Sequence, residues 1–194
     1  MSNTLPLFQQ YTPYDTKIVK TATRYSLYLI GGTAIDLLCR YYSIPFWRSR
    51  SNNDLDFWTT YNNRHKDRFI RHIKSTLGFV VKEDSDYMFS LESSTIHTDT
   101  DILIDYDRNN SKFGYTVNGI KVMSPIYLFA SKFDRYVNCN NAQRKTTDFK
   151  DLQTLLLLIE RTNGFDELEN HLSALNYDQK AENALNDIIA SIGC

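Results

Sequence analysis

The chain has 194 residues, 42% of them hydrophobic and 23% charged, and its 22 basic and 23 acidic residues give a formal net charge of -1. These values are typical of a globular protein with one domain, or one domain and a small subdomain. They argue against a protein that coats nucleic acid, because such proteins carry a strong basic excess. The few cysteines are far apart and predict neither a disulfide framework nor a metal site, so we expect a reducing, cytoplasmic location. The N-terminal residues lack the pattern of a signal peptide, and the longest apolar run, residues 155–159, is too short to span a membrane.

The first half of the chain predicts helices and strands in alternation, in the order helix 14–24, strand 25–30, helix 33–42, strand 54–59 and helix 64–77. Within the last of these helices, Arg64, Arg68 and Arg71 form a basic stripe, which we interpret as a solvated face.

The segment from residue 78 to residue 123 changes to apolar runs and alternation, which are typical of strands. The strands are predicted over 78–81, 87–91, 96–106 and 115–122, and Asn118-Gly119 predicts a hairpin within the last of them.

Ser124-Pro125 predicts the start of a helix, because serine caps helices and proline fits the first turn. Two long helices, over 125–137 and 143–162, and two shorter ones follow. We therefore predict an α+β fold in which residues 1–123 form a mixed sheet with flanking helices and residues 124–194 form a C-terminal helical subdomain.

Asp54 and Asp56 lie two residues apart in a predicted apolar strand, so both side chains lie on one face. Two adjacent carboxylates repel each other, and a divalent cation resolves that repulsion. Carboxylate oxygens together with substrate phosphates are the ligands that Mg²⁺ prefers. The alternative is a strand end with two solvated aspartates.

Gly31-Gly32-Thr33 stands between a predicted strand and a predicted helix. Glycine lets the backbone approach a phosphate, and the start of a helix offers unpaired N–H groups and positive potential. The Thr33 hydroxyl is a further candidate donor. The alternative is an ordinary tight turn.

Together, strand, Gly-Gly, helix, loop and acidic strand resemble the polymerase-beta-like nucleotidyltransferase superfamily. The sequences of residues 30–35 and 50–57 are similar to the corresponding motifs of the AbiE-type (abortive-infection, MenT-like) nucleotidyltransferase toxins. The matching residues include Arg50, Asp54 and Asp56. The family serine falls on Asn52 in this chain. The resemblance implies a Mg²⁺- or Mn²⁺-dependent enzyme that moves a nucleotide from an NTP to an acceptor, with Arg50 among the nucleotide-binding residues. It further implies an RNA acceptor such as the 3′ end of tRNA, growth arrest as the effect, and a cognate antitoxin as partner.

Enzymes of this superfamily use a third carboxylate on a neighbouring strand. Asp99, Asp101 and Asp105 share one face of the strand predicted over 96–106, so periodicity leaves the choice open. The resemblance favours Asp101, with Asp105 second. The alternative is a solvated strand face.

The helical tail adds a partial match at Lys132 and at the pair Asp148 and Asp151. The resemblance implies that Lys132 binds the NTP phosphates and that Asp148 orients the lysine or the base. The alternative is a solvated amphipathic helix.

Arg48 and Arg50 precede the acidic strand, where their guanidinium groups suit either RNA phosphates or bracing of the loop. Two other functions stay open on the sequence. The chain could be a transferase of the same fold that acts on a small molecule or a protein, or a non-catalytic, nucleotide-binding, antitoxin-like partner.

Overall fold

The computed structural model describes residues 12–47, 54–60, 65–93, 98–105, 114–173 and 178–192. The chain divides into two compact units. The first comprises Met1–Leu37 with Arg50–Met123, and the second comprises Leu38–Ser49 with Ser124–Cys194. The two-part division predicted at residue 123 stays a prediction, and nothing in the sequence indicated that residues 38–49 group with the C-terminal helices.

The described part of the first unit contains one seven-stranded sheet. Its strands are β1 (Tyr28–Leu29), β2 (Leu55–Thr60), β3 (Val80–Asp84), β4 (Met88–Ser93), β5 (Thr98–Asp105), β6 (Gly114–Val117) and β7 (Ile120–Met123). Their order across the sheet is β3-β4-β5-β2-β1-β7-β6. The pairs β2–β5 and β1–β7 are parallel and the others antiparallel, so the prediction of a mixed sheet is confirmed.

Seven helices accompany the sheet in the described residues. They are α1 (Pro13–Arg24), α2 (Gly31–Tyr42), α3 (Lys66–Leu77), α4 (Pro125–Asn138), α5 (Ala142–Arg161), α6 (Phe165–Ser173) and α7 (Gln179–Ala190). None of them is long and apolar enough to cross a membrane.

Helices α1 and α3 cover one face of the sheet. Phe57 of β2 is buried and its ring lies 5.8 Å from that of Phe69 on α3, centroid to centroid. The two helices are in contact at the C-terminal end of α1, where the ring centroids of Tyr25 and Phe69 lie 6.2 Å apart. Because side chains alternate along a strand, Asp56 and Trp58 lie on the opposite face of β2.

The first predicted strand is much shorter than expected. The sequence predicts a strand over 25–30, but only Tyr28 and Leu29 pair in the sheet. Tyr25 ends α1, and Ser26 has a left-handed φ of 60°, so the chain turns before it enters the sheet. The hairpin prediction is confirmed, because Asn118 (φ 48°) and Gly119 (φ 79°) form the turn between β6 and β7.

The second unit is built on the packing of α4 against α5. The apolar positions of α5, spaced three and four residues apart, are fully buried: Leu152, Leu155, Leu156 and Ile159. On α4, the rings of Phe129 and Phe133 stack with their centroids 5.8 Å apart, and both side chains are buried. Both helices begin at side-chain caps, Ser124 for α4 and Asn141 for α5.

Candidate active site

Two of the predicted metal ligands face each other across neighbouring strands. In the parallel pair β2–β5, Asp56 is the register partner of Asp101. Register partners of a parallel pair project to the same face, and neighbouring strands lie about 4.8 Å apart. The long-range pairing therefore brings together two carboxylates that are separated by 45 positions in the chain (101 minus 56).

The other two candidates for the third carboxylate are placed differently. Asp105 is the register partner of Thr60, at the far end of β2. Its Oδ2 accepts a hydrogen bond from Nε1 of Trp58 at 3.1 Å. Asp99 is exposed, two residues before Asp101 on the same face. Of the three, Asp101 is the one beside Asp56.

Asp101 is held by Ser90, a residue that was not predicted from the sequence. Ser90 of β4 is its register partner on the other side, and Ser90 Oγ donates to Asp101 Oδ1 at 2.5 Å. Ser90 is only 8% exposed, and the hydrogen bond is partly buried. Nothing local in the sequence singles out Ser90, because its role depends on the register between two strands.

The Gly-Gly element is packed directly against the acidic strand. Gly31 has a φ of 68°, which non-glycine residues rarely adopt, and a Cβ added there would lie 2.2 Å from Asp56 Oδ2. The preceding residue also contacts Asp56, since the Ile30 N–H donates to the backbone carbonyl of Asp56 at 2.9 Å. The backbone conformation therefore favours glycine at position 31, and a larger residue there would displace the Asp56 carboxylate.

Thr33 holds this element against the residue that precedes β2. Thr33 is 7% exposed, and its Oγ1 donates to the backbone carbonyl of Asp54 at 3.1 Å. That bond engages the one hydroxyl proton in this structure, and the prediction that the hydroxyl donates to a phosphate stays a prediction. The first backbone N–H groups of α2, at Gly31, Gly32 and Thr33, have no partner within the helix and remain suited to an anion.

A cavity of about 400 Å³ opens beside the acidic residues. Asp54, Asp101 and Ser90 line it, as do residues of β3, β4 and the start of β5. Within the described residues, no three His, Cys, Asp or Glu side chains are grouped as a ready-made metal site. The donors that are present, carboxylate oxygens on one sheet face, are nevertheless the hard ligands that suit Mg²⁺ when substrate phosphates complete the shell.

The predicted residues of the helical tail form a buried ionic network in the second unit. Lys132 Nζ lies 2.7 Å from Asp151 Oδ2 and 3.5 Å from Asp148 Oδ1. Lys132 is 7% exposed, and both carboxylates are fully buried. The interpretation of this region as a solvated helix face is therefore wrong for these three residues.

Two further residues satisfy the same carboxylates. Arg135 binds Asp148 with two N–H groups, of which Nε donates to Oδ2 at 2.8 Å. Burial acts to raise the pKa of Asp148, but the hydrogen bonds from Arg135 and the charge of Lys132 together hold that pKa below its usual value. Trp47 Nε1 donates to Asp151 Oδ1 at 3.0 Å, which ties the segment after α2 to α5. Neither partner was predicted from the sequence.

Arg50, which we predicted to bind nucleotide, lies outside the described residues, as do Arg48 and Asn52.

No protein-family model matches the sequence, and the comparison with curated proteins finds no match. Solved structures do resemble the chain. The antibiotic-resistance factor ANT(2'')-Ia aligns with a TM-score of 0.55 at 18% identity, over 89% of this chain and 92% of that one. An antigenic nucleotidyltransferase-like protein from Paracoccidioides brasiliensis aligns with a TM-score of 0.51 at 14% identity, over 91% and 88%. The Megavirus polyadenylate synthase aligns with a TM-score of 0.55 at 14% identity, over 76% of this chain but only 32% of its own.

At these identities the likeness concerns the fold. The chain has the mixed α/β fold of nucleotidyltransferases, as the sequence predicted.

Proposed function

We propose that the protein transfers a nucleotide from an NTP to an acceptor hydroxyl, with Mg²⁺ or Mn²⁺ as cofactor. The observation that carries this proposal is the pairing of Asp56 with Asp101, with Gly31 packed against the Asp56 carboxylate. In the nucleotidyltransferase fold, this arrangement places a candidate metal site next to a candidate phosphate-binding turn, formed by Gly31 and Gly32 at the start of α2.

The metal would be held by Asp54, Asp56 and Asp101. All three offer hard oxygen ligands, and Asp56 and Asp101 belong to adjacent strands of one sheet face. When bound, the ion would stabilise negative charge on the reacting phosphate and favour an ionised acceptor hydroxyl.

The chain itself would orient the reactants. The N–H groups at the start of α2 suit the triphosphate, because Gly31 and Gly32 place no side chain between it and the backbone. Ser90 occupies one oxygen of Asp101 and so fixes the direction in which the other oxygen is presented. Thr33 donates a hydrogen bond to the backbone carbonyl of Asp54, which would hold the Gly-Gly element and the acidic strand in a fixed relative geometry.

The resemblance assigns phosphate binding to Lys132 and an orienting role to Asp148. The contacts of the second unit support the second role, since Asp148 and Asp151 fix the position of the Lys132 ammonium group. The first role requires Lys132 to bind phosphate while two buried carboxylates hold it, or to exchange one of them for a phosphate oxygen.

The identity of the acceptor is a separate part of the proposal. Similarity to AbiE-type toxins favours an RNA hydroxyl such as the 3′ end of tRNA, with growth arrest and a neutralising antitoxin. A small-molecule or protein acceptor, or loss of turnover in a nucleotide-binding partner, fits the same fold. Transfer of label from NTP to total RNA, to protein or to metabolites separates these cases.

Binding of Mg²⁺-NTP tests the site before any acceptor is known. Asp54→Asn removes a proposed metal ligand and should abolish Mg²⁺-dependent NTP binding in calorimetry while the protein stays folded. Asp84→Asn is the matched control, because Asp84 is an exposed carboxylate at the end of β3 and does not line the cavity. Unchanged binding in Asp54→Asn would remove Asp54 from the site.

A further inference from the structure

Positive charge is concentrated on two helices of the first unit. Helices α1 and α3 together carry seven lysines and arginines and two aspartates, a formal charge of +5 (7 minus 2). The whole chain has a net charge of -1, so the remaining residues carry a formal charge of -6 (-1 minus 5). The near-neutral total therefore conceals a strong local asymmetry, of the kind that accompanies binding to a polyanion.

The exposed cations follow one side of each helix. They are spaced three or four residues apart, which places side chains on the same helical face. Ile18 and Val19 of α1 and Phe69 and Ile73 of α3, which lie between them in the sequence, are fully buried. The cations therefore occupy the solvent side of both helices. The α1–α3 basic face comprises Lys17, Lys20 and Arg24 on α1 and Arg68, Arg71 and Lys74 on α3.

The two rows of cations lie side by side in one layer. The ring centroid of Tyr25, at the end of α1, is 6.2 Å from the ring centroids of both Phe69 and His72 on α3. The axes of packed helices lie about 8–10 Å apart. Each row spans about 10 Å along its helix at a rise of roughly 1.5 Å per residue. The distance between the rows falls between the widths of the minor and major grooves of a duplex, about 6 and 12 Å.

The charges of this face are available to a ligand. Within the described residues, no ion pair joins any of the six cations to a carboxylate. Of the two aspartates on these helices, Asp15 is buried and accepts a hydrogen bond from the Thr12 N–H in the helix cap, whereas Asp67 is exposed. Lysine and arginine form charge-assisted hydrogen bonds with phosphate oxygens. A phosphate at this face would therefore gain cation partners without breaking an existing ion pair.

The other side chains of α1 and α3 favour one class of polyanion. A membrane surface is bound by cations together with inserted apolar side chains, and single-stranded nucleic acid by aromatic side chains on which its bases stack. On these two helices, Tyr14 is the one exposed large hydrophobic residue. The backbone of a duplex needs neither feature, because its phosphates lie on the outside in two rows.

We propose that the α1–α3 basic face binds duplex nucleic acid through its phosphodiester backbone. The contacts are independent of base sequence, since phosphates carry no sequence information. Helices α1 and α3 cover the sheet face that carries Phe57, whereas Asp56 and Asp101 project from the other face. A duplex on the basic face is therefore a docking partner, separate from an acceptor held beside the carboxylates, and its binding does not rest on nucleotidyl transfer.

The test measures binding of the full chain, without NTP, to labelled RNA and DNA duplexes of about 20 base pairs, or two helical turns. Fluorescence anisotropy between about 50 and 200 mM salt should give a slope of log K against log salt of about -3 to -5, as for four to five phosphate contacts. The double variant Lys20→Gln/Arg71→Gln removes one cation from each helix. It should reduce the size of that slope by about 2 and weaken binding about 10- to 50-fold at roughly 100 mM salt.

Two further variants separate a local site from an effect of net charge. Arg144→Gln/Arg161→Gln removes the same charge from exposed positions of α5 in the second unit and should bind as the wild type does. Asp67→Asn removes the exposed carboxylate from the basic face and should bind about two- to fivefold more tightly, as expected for one exposed charge interaction. All these positions are exposed, so circular dichroism should show the wild-type fold in each variant.

Tighter binding of either the RNA or the DNA duplex would support the proposal and identify the partner. An equal loss of affinity in both double variants, or no loss in Lys20→Gln/Arg71→Gln, would overturn it. Preferential binding of the single strand would overturn it as well. The same holds for preferential binding of vesicles made of equal parts of phosphatidylcholine and phosphatidylserine, which would make the face a membrane contact.

Discussion

Replacing Gly31 by alanine probes its contact with Asp56, which joins the candidate phosphate-binding turn to a proposed metal ligand. The new Cβ would lie 2.2 Å from Asp56 Oδ2 and 3.1 Å from its Cγ, so the carboxylate must move. The left-handed φ of 68° adds a backbone cost of roughly 1–2 kcal/mol. For a protein of this size, each kcal/mol lowers the melting temperature by about 2–4 °C.

Gly119→Ala separates these two effects. Gly119 has a similar φ of 79°, but nothing lies within 4 Å of an added Cβ. We expect both variants to lose similar stability in urea unfolding, because an aspartate side chain can rotate away from Gly31→Ala at small cost. Only Gly31→Ala should lose nucleotidyl transfer, and a displacement of about 1 Å is enough for a loss on the order of 100-fold.

The assay is the initial rate of pyrophosphate release with Mg²⁺-NTP and an acceptor that the wild type uses. It is run at a temperature well below the melting temperatures of both variants. Wild-type rates in Gly31→Ala, or equal losses in both variants, would refute the argument that Gly31 sets the position of Asp56.

Three further predictions concern residues that hold the carboxylates. Ser90→Ala should keep the fold but lower the transfer rate, because Asp101 loses the hydrogen bond that orients it; a wild-type rate would contradict this role. Lys132→Met should destabilise the protein by about 3–5 kcal/mol in urea, because it leaves the buried carboxylate of Asp151 without its cation, whereas exposed Arg144→Met should change stability by less than about 0.5 kcal/mol. The lowered pKa of Asp148 means that its stabilisation is fully present above the unfolded pKa of about 3.9 and is lost as pH falls through the folded value. Arg135→Gln should raise that pKa, so urea unfolding across pH 7 to about pH 3 should show stability falling at a higher pH than in the wild type.

Local sequence patterns predicted some features of the candidate site. Alternation places Asp54 and Asp56 on one face, and the strand–Gly-Gly–helix order places Gly31 at a turn. The choice among Asp99, Asp101 and Asp105 could not come from periodicity, because all three share a face. It depends on the register of β2 against β5, which residues distant in the chain decide.

The second unit shows the same limit. The spacing of Asp148 and Asp151 puts them on one helical face, but spacing cannot tell whether that face is solvated or buried. Burial follows from α4, which supplies Lys132 and Arg135, and from Trp47, which is more than 100 positions away from Asp151. A short local sequence pattern does not identify partners that are distant in the chain.

Transfer from NTP labelled at the α-phosphate is the most direct test of the central claim. The wild type, given Mg²⁺ and a mixture of acceptors, should move the α-label to an acceptor and release pyrophosphate. Asp56→Asn should do neither while it keeps the wild-type fold by circular dichroism. Transfer of a γ-label instead of the α-label, or equal α-label transfer by Asp56→Asn, would contradict nucleotidyl transfer at this site.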